Sequence, residues 1–228
     1  MKPLIICLSS DLPKDGKNTA CTILKNIFDY ENDMLREVGR SIGLYEFREF
    51  AFATELKKHV HEKYNVDESR LGDSAYKELI RPHYIFEGDG ARLKDGFVWC
   101  KKLNEVHILP FLKYVVDSNI AVMAISDNRY CNEDDFFKEK ELCGFDAYVQ
   151  TIHIVVNDNV RRKRHGDSVY LQLAATERSR SQRELNFALG AEFDFIVDNN
   201  GTIEEFEQKI RAICEIILHR YYKSEGMR

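Results

Sequence analysis

Residues 3–9, PLIICLS, form a short continuous apolar run, and with the loop and helix beyond it this run narrows the fold more than any other part of the chain. An apolar run of this length without alternation reads as a strand buried on both faces, as in a parallel sheet. The polar loop SDLPKDGK (residues 10–17) comes next, then NTACTILKNIFDY with apolar residues at helical spacing. Strand, glycine-containing loop and helix is the context in which backbone N–H groups and a helix N-terminus cradle phosphate. In such a loop a lysine reaches the outer phosphates and a neighbouring hydroxyl holds magnesium. Lys17 fits the first role, while Asn18 stands in the usual hydroxyl position with Thr19 one residue later. The first glycine of the GxxxxGK[ST] pattern would fall at Asp11; alternatively the loop is one residue longer and Ser10 takes that place. A GK pair also opens ordinary helices, so the preceding strand carries much of this reading.

The rest of the chain repeats the alternation. YEFREFAF reads as a second strand and ATELKKHVHEKY as a helix; residues 66–96 read as two polar, glycine-containing loops around a short helix. FVWCKKLNEVHILPFLKYVVDS is mostly helical, with Pro110 marking a break or a new start. IAVMAIS (120–126), AYVQTIHIVV (147–156) and FDFIVDN (193–199) are further strands. A closing helix places Ile203, Phe206, Ile210, Ile213 and Ile217 on one stripe. Strands alternating with helices predict an α/β three-layer sandwich: a mostly parallel sheet with helices on both faces. At 228 residues, without repeats or composition breaks, the chain reads as one domain, residues 1–228. Within it an acceptor-binding segment is expected at about 48–100 and a mobile lid at about 158–187.

The net charge of −5 argues against a protein that holds duplex nucleic acid. Six cysteines without CxxC spacing read as reduced buried thiols, and seven histidines show no metal-ligand spacing. His59 and His61, two apart, fall on different helix faces. The apolar start is too short for a signal peptide or a membrane span, so a cytoplasmic protein without membrane partners is expected.

Other candidate site residues lie just past strand ends, where open α/β sheets bind ligands. Asp127 comes directly after IAVMAIS and could join a magnesium shell, or simply cap the next helix. Arg161–Arg164 comes after TIHIVV; arginines closing over phosphate stabilise developing charge, although a charge run is more often a solvated face. Arg178, Arg180 and Arg183 could belong to the same element. Arg48, Lys57, Arg81 and Arg92 are candidates for holding an anionic acceptor, each alone more ordinary as a surface residue. Trp99 reads as a core residue rather than a base-stacking one.

Together these segments resemble the bacteriophage-type deoxynucleoside monophosphate kinases and their relatives, the animal-type phosphomevalonate kinases. GKNTA is similar to the family's GKDT-type loop, and FATELKK to its FA-x-x-LK segment. DGFVWCKKL resembles the segment before its central strand. SDNRYCNE matches its D-x-R-x-x-NE pattern, SQREL resembles its lid element with Gln182 in place of glutamate, and FDFIVDNNGTIEEF matches its last strand and turn. The resemblance implies a P-loop kinase fold, ATP and magnesium, and phosphoryl transfer to a (deoxy)nucleoside monophosphate. It implies Lys17, Arg129, Arg161 and Arg164 as catalytic residues, and Ser10, Asp15, Gly16, Lys17, Asn18 and Thr19 around the nucleotide. Asn18, Thr19 and Asp127 would serve magnesium, and Lys57 would face the acceptor. Asp11 in place of glycine keeps two alternatives open: a kinase of another phosphorylated small molecule such as phosphomevalonate, or a P-loop relative without catalysis. The partners expected are ATP and a small phosphorylated acceptor, with a homodimer left open.

Overall fold

The computed structural model describes residues 1–12, 14–115, 118–168, 170–171 and 192–226. Strand β1 (Leu4–Ser10) is buried on both faces, as its unbroken apolar run predicts. Leu4, Ile6 and Leu8 turn to one core cluster, Ile5 and Cys7 to another. Around it lie β2 (Tyr45–Phe50), β3 (Ile120–Ile125), β4 (Tyr148–Val155) and β5 (Phe195–Asp198) in the order β2-β3-β1-β4-β5. Every pairing is parallel, with Cys7 facing Ile125 on β3 and Thr151 on β4. Because the chain runs from β1 to β2 and β3 on one side and then crosses to β4 and β5 on the other, the crevice beyond the carboxyl end of β1 is the switch point of the sheet, where ligands bind in open α/β folds.

Helices cover both faces. On one side α1 (Lys17–Glu37) packs through Ala20, Leu24, Ile27 and Phe28 beside the C-terminal helix, called α9 here (Ile203–Ser224). The latter opens with a reciprocal Thr202–Glu205 capping box. Its buried stripe is Phe206, Ile210, Cys214, Ile217 and Tyr221; Ile203, expected on that stripe, is 52% exposed because it precedes the first core contact. Asn32 of α1 grips the first residue of β2 twice, donating to the Tyr45 carbonyl (2.8 Å) and accepting from its N–H (2.7 Å).

On the other face lie α4 (Val98–Leu103), α5 (Leu109–Tyr114), α6 (Cys131–Lys138) and α7 (Lys140–Cys143). A π-helical turn, Asn104–Ile108, joins α4 to α5, with the Leu109 N–H reaching the Asn104 carbonyl five residues back. Pro110, which has no N–H to give, then stands at the start of α5. A third cluster joins α2 (Ala53–Tyr64) and α3 (Ser74–Lys94) to α4 through Leu56, Val60, Ile80 and Trp99. Trp99 is a core residue, as expected, its indole N–H donating to the Gly88 carbonyl at 3.2 Å. Of the two loops expected within 66–96, the first is present, with a short 3-10 turn at Glu68–Arg70. The second is corrected: the helix between them extends through it, so that α3 has 21 residues and runs through Pro82, Gly88 and Gly90. Close packing explains Gly88, since a Cβ there would lie 3.1 Å from Leu56 Cδ2 and 3.2 Å from Arg92 Nη1.

The predicted fold class, an α/β three-layer sandwich around a parallel sheet, is therefore the one observed. Cys7, Cys21, Cys100, Cys143 and Cys214 are free and buried. Among the described residues no helix is long and apolar enough to cross a membrane.

Candidate functional site

The loop between β1 and α1 is built around a buried ion pair. Asp15, 2% exposed, accepts from the Leu12 N–H (2.9 Å) and takes a two-pronged grip from Arg161 of α8 (Asp158–His165): Nε at 2.9 Å, Nη2 at 2.8 Å. Burial works against the Arg161 charge, yet Asp15, Asp158 and Asp11 together outweigh that and raise its pKa. Asn199, just past β5, donates to the Asp15 carbonyl at 2.8 Å. Gly16 comes next at φ +114°, where a Cβ would meet Asn199 Nδ2 at 2.5 Å, so only glycine fits. Helix α1 then starts with no side-chain cap and no acidic residue in its first turn, leaving its N-terminal potential for an outside anion. Lys17 Nζ bonds to the Ser10 hydroxyl, which donates to the Leu12 carbonyl at 2.8 Å.

Asp11, at the position of the pattern's first glycine, is held from the far side of the loop. Its carboxylate meets His153 Nε2 of β4 at 3.0 Å and Arg161 Nη2 at 3.4 Å. The hydrogen bond from His153 is the main cause that lowers the Asp11 pKa. His153 Nδ1 lies 2.8 Å from the Ser9 hydroxyl, and its ring stacks on Phe193 at 4.3 Å.

At the end of β3, Asp127 accepts from the Phe52 and Ala53 N–H groups (2.7 and 2.9 Å). It thus caps α2, not the helix next to it in sequence. Glu133 accepts from the Arg129 and Tyr130 N–H groups (2.6 and 3.1 Å) and faces Arg92 Nη2 at 3.3 Å. Burial of this carboxyl pushes its pKa up to about 7 despite Arg92 and the two amides. The Arg92 guanidinium also lies 3.9 Å over the Tyr130 ring. The Arg129 side chain is exposed.

The four acceptor-side candidates do not converge. Arg81 holds Glu78 at 2.8 and 2.9 Å, and eleven residues of helix, roughly 16 Å, separate it from Arg92. Lys57 is exposed on α2. Arg48 stacks on Phe111 at 4.7 Å and lines an open cavity of about 660 Å³ with Thr54, Leu103, Val106 and His107. The π turn supplies two of those lining residues, and Glu55 holds His107 Nε2 at 2.8 Å.

Of the basic run, Arg161 is buried inside the loop's ion pair, whereas Arg164 reaches out to the Gly201 carbonyl at 2.7 Å. Arg178, Arg180, Gln182 and Arg183 lie outside the described residues, as does most of the expected lid. No cluster of three or more His, Cys, Asp or Glu side chains suited to a metal occurs among the described residues. The oxygens of Asn18, Thr19 and Asp127 nevertheless suit magnesium, which takes few protein ligands and relies on substrate phosphates. Sequence reasoning missed His153 and Asn199. Their only signal was position, facing or just past the carboxyl ends of strands.

No family model matches the chain. Its fold is similar to the crystal structure of APE1195 (12% identity, 95% of this chain and 97% of that one, TM-score 0.41). It is also similar to a dephospho-CoA kinase from Campylobacter jejuni (14% identity, 93% and 96% coverage, TM-score 0.36). Likeness this distant leaves the functional reading to the geometry of the site.

Proposed function

We propose that the chain is an ATP-dependent phosphotransferase acting on a small phosphorylated acceptor, with a (deoxy)nucleoside monophosphate as the preferred acceptor class. The observation that carries this is the N-terminus of α1, without a side-chain cap, at the switch point of the sheet, with Lys17 at its first turn and no acidic residue in that turn. In this reading Lys17 and the first-turn amides of α1 bind the donor phosphates, and Ser10 orients the Lys17 ammonium. Asp15 and Gly16 shape the loop, and Arg161 holds Asp15 in place. Exposed Arg129 approaches the transferring group, where positioned cations spread developing charge. Arg164 ties α8 to the turn before α9. Asn18, Thr19 and Asp127 would hold magnesium, which bridges phosphates and neutralises their charge. Arg48 and Lys57 are the acceptor-side cations, while Arg92 orders Glu133 and Tyr130 at the rim; Arg81 lies with Glu78 on the surface.

The acceptor class rests on the sequence resemblance, and phosphomevalonate belongs in the same test. A coupled ADP-release assay with MgATP against deoxynucleoside and ribonucleoside monophosphates and phosphomevalonate decides it. Acceptor-dependent ADP release, abolished in Lys17→Ala with the fold intact, is the expected result. Arg129→Ala should lower turnover more than ATP affinity; near-normal rates in both variants would refute the assignment.

One observation favours a second reading, nucleotide binding without turnover. The loop turns one amide inward, from Leu12 to Asp15, and carries two carboxylates where a phosphate loop usually has none. MgATP raising the melting temperature, with no ADP release on any acceptor, would establish that reading instead.

A further inference from the structure

We infer that His153 is a positioning residue whose task is to hold the Asp11 carboxylate out of the anion site, making a loop without its first glycine usable by a polyphosphate. This rests on the nucleotide-binding reading above. Asp11 comes directly after Ser10, whose hydroxyl receives Lys17, and through Arg161 it is tied to Asp15, the residue before Gly16 and the start of α1. A carboxylate free to turn there would take the positive potential that an incoming phosphate needs, or repel that phosphate directly.

The fold restrains it from two elements. His153, buried in β4, contacts one carboxylate oxygen at 3.0 Å, and Arg161 of α8 lies 3.4 Å from the other. The asymmetry of burial is informative: the Asp11 side chain is 44% exposed and could swing, while that of His153 is 8% exposed. His153 is in turn fixed by the Ser9 hydroxyl on its other nitrogen and by the Phe193 ring against its face. The Nε2–H therefore donates to Asp11 when Ser9 donates to Nδ1. Arg161 is mainly committed to Asp15, with shorter contacts there than to Asp11. That leaves His153 as the principal restraint.

The test is a double-mutant cycle on the full chain, read as MgATP affinity and, in parallel, as affinity for inorganic tripolyphosphate. His153→Phe keeps the stack on Phe193 but releases Asp11, and should weaken both ligands by about tenfold or more. Adding Asp11→Asn to that variant removes the freed charge and should restore affinity to within about threefold. His153→Gln, whose amide can still donate to Asp11, should bind within the same range as wild type. Thermal melting without ligand reports whether each variant is folded. Loss of affinity in His153→Phe that Asp11→Asn fails to rescue would overturn the inference, as would His153→Phe binding like wild type. Wild type binding neither ligand would refute the nucleotide reading and this inference with it, whereas binding without rescue removes this inference alone.

Discussion

Replacing Arg161 by methionine should be the most damaging single change at the site, and its size can be worked out from the group it leaves behind. Asp15 is 2% exposed and has three donors, of which two belong to Arg161 and one to the Leu12 amide. Methionine fills similar volume but strands a buried carboxylate with one partner, a change that typically costs about 3–5 kcal/mol. For a chain of this length that lowers the melting temperature by roughly 6–20 °C. Asp15→Asn should cost less, because Arg161 keeps Asp158 at 2.9 Å and Asp11 at 3.4 Å. The double variant should then fall well short of the sum, since the second change removes the unpaired charge the first created. Urea or thermal unfolding of the four proteins measures all of this. If Arg161→Met melts within about 2 °C of wild type, or the two changes add, the pair is not the strut described.

Glu133 gives a pH signature. Its folded pKa, near 7, lies above the ordinary carboxylate value of 4.5, so folding favours the protonated form. Its contribution is fully present below about 4.5 and is lost as pH rises through about 7; Glu133→Gln should therefore gain stability relative to wild type across that window, by about 3 kcal/mol in total. A difference constant from pH 4.5 to 8 in thermal melts would refute the shift. Gly16→Ala should abolish MgATP-induced stabilisation, because the new Cβ strikes Asn199 at a φ of +114°; retained stabilisation would show the loop to be pliable. Trp99→Ala should cost about 3–5 kcal/mol in unfolding free energy through the cavity left among α2, α3 and α4.

Strands β1 and β3, α2 and the closing helix were legible because burial on both faces, or on one stripe, writes itself directly into the sequence. The full length of helix α3 was not, since Gly88 and Gly90 read locally as punctuation. The reason for Gly88 is a neighbour, Leu56, 32 positions away. The same distinction governs the site. Lys17 and Gly16 are announced by a local pattern. Which of four consecutive basic residues turns inward depends on Asp15, 146 positions earlier, so a charge run could not single out Arg161. His153 sits inside an apolar strand, where only the register with β1 brings it against Ser9 and Asp11.

The double grip of Asn32 on Tyr45 has a consequence for how copies of this chain meet. Strand β2 is an outer strand, and Ile120 N–H to Leu44 carbonyl bonding shows which of its groups face inward. The N–H and carbonyl of Tyr45 point the other way, the side on which a foreign strand would add. By imitating one rung of a neighbouring strand, the Asn32 amide occupies both groups. At its amino end this border of the sheet is thereby closed to the edge-to-edge pairing that seeds aggregation.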